Sequence, residues 1–469
     1  MRRKNKNLVL ENIKLVGAGA KGIAIGRTDE GKTVLVSGGV PGDLVNVRVK
    51  KSKSKYFEGE AIEILEKSPF RVEPKCVHFG VCGGCKWQNL SYEKQLDIKH
   101  DEVFNNIKRI GGLENFETLP ILGSEEQYFY RNKMEFSFSN ARWLTQYEIS
   151  SEENYGNRDA LGFHIPGMWS KILDLKECWL QEDPSNALRL AVKSYAEKNG
   201  LEFFDVKAQT GFLRTLMLRQ NSAGEWMVLF QLFREEKENR TQLFDFLLKE
   251  FPQIKTLVYC INEKQNDSIY DQDVQNYFGE GFLMEEMDGL KFKIGPKSFF
   301  QTNYKQALEL YRKTLEFADL KGDEVVYDLY TGTGTIAQYV ARNAKQVIGI
   351  ESVPEAIEAA KEHAILNGLD NTTFYCGDMK NVFNDEFLEN HPKADVLITD
   401  PPRDGMHQKV VEQILKLAPE KIVYVSCNSA TQARDLALMK EQYRLVKILP
   451  VDMFPQTHHV ENIALLVKL

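Results

Sequence analysis

Five short apolar runs in the C-terminal third of the chain constrain its fold more than any other feature. They are residues 324–329 (EVVYDL), 346–350 (QVIGI), 372–375 (TTFY), 394–399 (ADVLIT) and 421–425 (KIVYV). Each has the length and the unbroken apolar character of a strand buried on both faces, as in a parallel sheet whose crossovers are helices. The pattern predicts an open, doubly wound α/β sheet. Such sheets hold their ligands outside the carboxyl ends of the strands, so the residues following each run are candidates for chemistry.

After the first run, residues 330–335 read as a glycine turn and 336–343 as a helix. Gly332 and Gly334 allow the backbone to approach a ligand closely. Glu351, after the second run, is placed to accept hydrogen bonds from ribose hydroxyls, and Asp378, after the third, to take an adenine amino group. The stretch Gly332-Thr333-Gly334-Thr335-Ile336-Ala337 also fits a dinucleotide fingerprint, which makes a nicotinamide-dependent dehydrogenase the rival reading. In that fingerprint the first glycine abuts the strand, whereas here Asp328 to Thr331 intervene. Asp-x-x-x-Gly-x-Gly suits S-adenosylmethionine, which has no pyrophosphate to seat.

Asp400-Pro401-Pro402-Arg403 follows the fourth run, Ser426-Cys427-Asn428 the fifth, and Glu461 precedes a further strand expected over 462–467. A lone cysteine after an apolar run is more often a small core residue, and a lone glutamate at a strand end more often a solvated charge. Together they supply a thiol, an acid to organise it and a base. That set suits methyl transfer to a pyrimidine, because carbon 5 of uracil becomes nucleophilic only after a thiolate has added at carbon 6. Cys427 is the expected nucleophile, Asp400 the organising acid and Glu461 the base that later removes the carbon 5 proton. A free thiol, with a pKa of about 8.5, is mostly protonated at neutral pH, so the site must lower that value or take the proton during attack.

Cys76-x5-Cys82-x2-Cys85, interleaved with Gly80, Gly83 and Gly84, packs three thiols into one turn. Spacing alone leaves open an iron–sulfur centre or structural zinc completed by Cys178 or His78. Disulfides are the least favoured use, since seven cysteines is an odd number and nothing marks secretion.

The basic start, Met1 to Asn7, leads into an apolar stretch interrupted by Glu11, which spoils a signal-peptide core, and no apolar run approaches the ~20 residues of a membrane span. A cytoplasmic protein of about three domains is expected. Residues 1–60 hold 13 Lys and Arg against 6 Asp and Glu in a chain of net charge −7, so the basic excess is local. Arg48 to Lys55 (RVKKSKSK) reads as a loop able to neutralise several phosphates. Around it, short apolar runs separated by Gly17-Ala18-Gly19, Gly38-Gly39 and Pro41-Gly42 suggest a small β-barrel of the oligonucleotide-binding kind. Residues 100–290 are less legible: an α+β layer is expected, with a strand from Tyr130 that is either a phosphate-holding face or an ordinary exposed one.

Ser298-Phe299-Phe300-Gln301-Thr302-Asn303, Asp328 to Gly334, Asp400-Pro401-Pro402-Arg403, Ser426-Cys427-Asn428 and Asp452-Met453-Phe454-Pro455 through His459 and Glu461 together resemble the RNA uracil-C5 methyltransferase family over nearly the whole chain. The match is to the iron–sulfur-containing branch that modifies 23S ribosomal RNA, and Val40-Pro41-Gly42-Asp43 with residues 60–65 resembles its TRAM module. Thr331 departs from the family, where a cysteine is frequent. The resemblance implies a TRAM-like barrel over 1–67, a cluster-bearing domain over 68–290 and a methyltransferase domain over 291–469. It implies Cys427 as nucleophile, Glu461 as base, and Gln301, Tyr330, Thr335, Glu351, Asp400 and Asp378 at the donor site. It also implies Cys178 as the fourth ligand of a [4Fe-4S] cluster with Cys76, Cys82 and Cys85, zinc being the alternative. Ribosomal RNA is the expected substrate, transfer RNA the runner-up, and the chain is expected to act as a monomer. An RNA-binding protein without catalysis is disfavoured because thiol, acid and base are all present.

Overall fold

The computed structural model describes residues 8–19, 22–151 and 156–469; the basic start Met1 to Asn7 lies outside them. Strands β1 (Val9–Gly19), β2 (Ile23–Arg27), β3 (Thr33–Ser37), β4 (Leu44–Ser52) and β5 (Tyr56–Glu66) close into a barrel in the order β1-β2-β3-β5-β4. Alternation builds it: Val34 and Val36 of β3 and Val45 and Val47 of β4 point inward while their neighbours face out. Asp43 ties the barrel to the segment after β5. Its buried carboxylate accepts from the main chain of Val40 (2.8 Å) and Ser68 (2.9 Å) and from Arg71 Nη2 (2.7 Å). The basic run 48–55, expected as a loop, is instead the end of β4 and its turn into β5. At a register shift between Val49 and Lys51 the consecutive lysines both meet glutamates of β5, Lys51 lying 2.9 Å from Glu58 and Lys50 pairing with Glu60, so part of the run is neutralised within the barrel.

Helix α1 (Tyr92–Arg109) and the short strand β6 (Glu117–Thr118) come next and pack on the C-terminal layer, α1 against a late helix and β6 at the sheet's edge. The central sheet contains β7 (Lys133–Ser139), β8 (Ala160–Ile165), β9 (Met168–Asp174), β10 (Leu213–Gln220), β11 (Trp226–Leu232), β12 (Ile254–Ile261) and β13 (Gln275–Phe278), ordered β13-β12-β11-β10-β7-β8-β9. Helix α2 (Gln146–Ser150) lies in its β7–β8 connection, and α3 (Ser185–Lys198) and α4 (Lys237–Glu250) pack together. Every residue of β11 is buried. The strand expected from Tyr130 begins at Lys133 and is interior, between β10 and β8. Met134, Phe136 and Phe138 face the core, while on the other face Lys133 pairs with Glu135 at 2.8 Å.

A hairpin of β14 (Leu283–Met287) and β15 (Leu290–Ile294) leads into the C-terminal layer. There α5 (Tyr304–Ala318), β16 (Val325–Leu329), α6 (Thr335–Ala341), β17 (Gln346–Glu351), α7 (Pro354–Leu366), β18 (Thr372–Cys376), α8 (Met379–Val382), α9 (Asp385–Asn390), β19 (Val396–Thr399), α10 (Gln408–Leu417), β20 (Lys421–Ser426), α11 (Ser429–Met439), β21 (Tyr443–Val451) and β22 (Glu461–Lys468) follow. The sheet order is β18-β17-β16-β19-β20-β22-β21-β6, with β16 to β20 parallel and β22 antiparallel to β20. Alternate residues of β16 serve opposite faces: Val326 enters one core and Tyr327 the other. The chain winds from β16 outward through β17 and β18, then returns to β19 and β20, which puts the crevice of such a sheet beside β16 and β19.

Candidate active site

The sheet topology gathers the expected residues at one edge. Parallel strands deliver Asp400 after β19 and Cys427 after β20. The reversed β22 starts at this same edge, where Asn462 pairs with Ser426, so its first residue, Glu461, arrives beside them. Glu461 is buried, 7% exposed.

Electrostatics show how close these groups are. Burial pushes the Cys427 thiol up to about 11, the charges of Glu461 and Asp400 adding to it and Arg403 opposing. Burial likewise raises both carboxyls well above the ordinary carboxylate range, and Asp400 raises Glu461 further. The phenol of Tyr311, on α5, is raised by burial and then by Asp400, Glu461 and Asp328 together, so one ring senses all three carboxyls. The surroundings of the thiol thus raise its pKa and do not lower it.

Local bonds fix the Cys427 turn. Asn428 caps α11 through Ala430 N (3.1 Å), and Asn428 Nδ2 (2.9 Å) and Thr431 Oγ1 (3.1 Å) donate to the Arg403 carbonyl, tying this turn to the Asp-Pro-Pro-Arg loop. Asp435, buried on α11, accepts from Met406 N and Tyr424 Oη, both at 2.8 Å, and holds that loop from below. The preceding His459 is neutral: burial drives its pKa down to about 4, with His458 and Arg403 acting in the same direction.

The glycine turn lies one strand over. Tyr330 (φ 62°), Gly332 (φ 55°) and Gly334 (φ 78°) take left-handed backbone, and a Cβ at Gly334 would come within 2.9 Å of Ala360. Glu351 accepts from Gly332 N (3.1 Å), Ser352 N (2.6 Å) and Val353 N (3.0 Å), which aims its carboxylate along the turn. Asp328 is buried beneath, bonded by Thr331 Oγ1 at 2.5 Å. Thr335 opens α6. Asp378 is exposed, caps α8 at Lys380 N and pairs with Lys380 Nζ at 3.1 Å. The central domain supports Gln301: Asn132 Nδ2 donates to the Gln301 carbonyl (3.0 Å), Asn132 N to that of Thr302 (2.7 Å), and buried Arg219 to the carbonyls of Gly295 (3.1 Å) and Ser298 (3.0 Å).

Cys76, Cys82, Cys85 and Cys178 carry free thiols and line one cavity of about 180 Å³ beside His78, Gln88 and Trp179. Burial raises the Cys85 thiol to about 12 and the Cys178 thiol to about 11, with other members of the set adding to the shift. His78 Nε2 accepts from Lys176 N at 2.9 Å. Among the described residues no group of three or more His, Cys, Asp or Glu is gathered tightly enough to hold a single metal ion.

Sequence reasoning missed the supports of the loop before Glu461. Lys99 of α1 is fully buried and reaches Asp452 Oδ1 at 2.6 Å and the Phe454 carbonyl at 3.2 Å, while Lys86 N and Trp87 N, just after Cys85, donate to the Gln456 carbonyl at 2.8 and 3.0 Å. Lys99 and Asp452 are 353 positions apart in the chain, and only the Asp452 to Gln456 side belongs to a recognised motif. No local signal marks Lys99.

A doubly wound sheet with a glycine turn, and with a half-buried thiol and two carboxyls at its carboxyl edge, defines a group-transfer enzyme of the α/β methyltransferase class. The profile of the tRNA (Uracil-5-)-methyltransferase family matches residues 274–469, and that of the TRAM domain matches residues 12–62. Proteins described as uncharacterized RNA methyltransferases are 51% identical in Bacteroides thetaiotaomicron (95% of this chain, 99% of the relative) and 51% in Porphyromonas gingivalis (97% and 99%). The crystal structure of the Pyrococcus abyssi tRNA (uracil-54, C5)-methyltransferase in complex with S-adenosyl-L-homocysteine superposes with a TM-score of 0.75 at 29% identity, covering 98% of this chain and 100% of that one. The chain belongs to the RNA uracil-5-methyltransferase family, whose methyl donor is S-adenosylmethionine. That membership overturns the dehydrogenase reading. No helix among the described residues is long and apolar enough to cross a membrane.

Proposed function

We propose that the chain methylates carbon 5 of a uridine in 23S ribosomal RNA, with Cys427 as covalent nucleophile and Glu461 as base. The observation that carries this reading is the convergence of the half-buried Cys427 thiol with half-buried Asp400 and buried Glu461 at one sheet edge. As Cys427 Sγ bonds to carbon 6, its proton passes to an ionised Asp400, the ring's electrons move to carbon 5, and Glu461 stays ionised for the later step. S-adenosylmethionine supplies the methyl group that carbon 5 takes. Glu461 then removes the remaining carbon 5 proton, and the electrons left behind expel the Cys427 thiolate.

The donor would be held by Glu351 at the ribose, by the turn of Tyr330, Gly332, Gly334 and Thr335, and by Gln301 and Asp400 near the reacting carbon. Asp378 is its more exposed neighbour on the adenine side. Buried Asp328 and half-buried Asp400 suit a ligand whose sulfonium is positive, because a cation offsets the cost of ionising carboxyls withdrawn from water. The four thiols around their cavity suit a [4Fe-4S] cluster, which spreads its ligands wider than a single zinc ion does. Bound there, the cluster would brace the segment of Cys85, Lys86 and Trp87, and no redox step is needed.

Transfer RNA is the second reading, favoured by the Pyrococcus relative, which acts on uracil 54 of tRNA. Mapping 5-methyluridine in ribosomal and transfer RNA from cells with and without the gene decides between them. Loss of a 23S site supports the first reading, and loss confined to tRNA replaces it with the second.

A further inference from the structure

A groove of about 520 Å³ opens between β1 of the barrel, one face of α1 and the start of α11, where Asn428 and Ala430 lie just beyond Cys427. Its volume is that of a small-molecule site. Glu102 stands on the α1 wall. It is half-buried and has no hydrogen-bond or ion-pair partner among the described residues. The nearest candidate, Lys99, is committed to Asp452 and Phe454, so Glu102 is not half of a structural pair. Burial raises its carboxyl, with Lys99 opposing.

A carboxylate facing RNA repels phosphate and can only accept, so its partner must bring N–H groups. Among RNA components the strongest such donors are the amino-bearing edges of guanine, adenine and cytosine. The surroundings suit a nucleotide: Asn105 and Asn106 line the same groove, their amide nitrogens donating to the Asp101 carbonyl at 2.7 Å and to Ser429 Oγ at 2.9 Å, and Arg109 is exposed at the end of the same helix for a phosphate. Resting on the assignment of Cys427 as the nucleophile for a uridine, we propose that Glu102 reads the amino edge of a base next to the target uridine, in the groove beside Asn428, and so selects the sequence that is methylated.

The test uses synthetic RNA spanning the mapped uridine. Amino groups on the flanking nucleotides are removed one at a time: inosine for guanosine, purine riboside for adenosine, pyrimidinone riboside for cytidine. For the wild-type enzyme, one of these deletions should lower kcat/KM by about 10- to 100-fold, the discrimination that a base-edge pair provides. Glu102→Ala should be slowed by a similar factor on the unmodified RNA and be indifferent to that same deletion, and Glu102→Gln, which keeps one acceptor oxygen, should fall between. A wild-type enzyme insensitive to every flanking deletion overturns the proposal, and so does a Glu102→Ala enzyme that keeps the wild-type preference. Should Glu102→Ala fail to fold, the wild-type and Glu102→Gln series decide alone. A Cys427→Ala enzyme that still methylates the unmodified RNA would instead sink the nucleophile assignment, a separate outcome read from product formation.

Discussion

Gln95 and Gln456 exchange two hydrogen bonds across the interior: Gln95 Oε1 accepts from Gln456 N at 2.9 Å, and Gln95 Nε2 donates to Gln456 Oε1 at 3.0 Å. Gln456 has left-handed backbone, φ 67°, a conformation that costs a non-glycine residue about 1–2 kcal/mol. It therefore needs this clamp. Five residues later the same loop presents Glu461.

Replacing Gln95 by Leu should leave buried donors and acceptors on Gln456 unpaired and cost about 3 kcal/mol, since each orphaned buried group costs about 1–3 kcal/mol. Urea denaturation measures that loss. Because the loop carries the proposed base, kcat should fall while KM for RNA changes little. An unchanged kcat would mean that β22 alone positions Glu461.

Cys427 and Glu461 should fail differently. Cys427→Ala should form no adduct and no product. Glu461→Gln cannot take the carbon 5 proton, so it should accumulate methylated RNA bound to Cys427, seen as a denaturation-resistant band that requires S-adenosylmethionine. Normal turnover by either variant would remove that residue from its role.

Donor binding should depend on pH. Burial pushes the Asp328 carboxyl up to about 7 against the hydrogen bond from Thr331, with Asp400 adding to the rise. The cationic donor favours the ionised carboxylate. Below its raised pKa the free enzyme holds the proton that binding must displace, so affinity should rise with pH through the neutral range, by at most about tenfold per pH unit for one group. S-adenosylhomocysteine, without the sulfonium charge, should show a shallower profile in the same calorimetric titrations. Identical profiles would place Asp328 out of reach of the sulfonium.

Anaerobically purified protein should be brown and hold close to four irons, and Cys178→Ala should bleach it. Stoichiometric zinc without visible absorbance would discard the cluster. Since Lys86 and Trp87 follow Cys85 and hold Gln456, the bleached variant should also melt at a lower temperature.

The sheet and its carboxyl edge are legible in the sequence because strands buried on both faces leave unbroken apolar runs, and the residues after them inherit a known place. Cys427, Asp400 and Glu461 can be read in this way. Lys99, Gln95, Arg219 and Asp435 cannot: each acts on a segment brought near only by folding, and a polar residue on a helix or strand looks the same in sequence whether it faces water or a buried carbonyl. The basic run reads as a loop for a related reason. Lysines in a strand reveal their neutralising glutamates only once the facing strand is known.

The β14–β15 hairpin joins two interiors, since Leu283 packs with Met217, Met227 and Val258 of the central sheet whereas Met287, Leu290, Phe292 and Ile294 belong to a core of the C-terminal layer. Truncation is therefore constrained. A fragment begun at residue 291 would keep most of β15 and discard β14, leaving Phe292 and Ile294 with an unsatisfied strand edge beside them and the lid of that core torn open. The catalytic layer is not a detachable cassette, and an expression fragment that preserves it has to start upstream of Leu283.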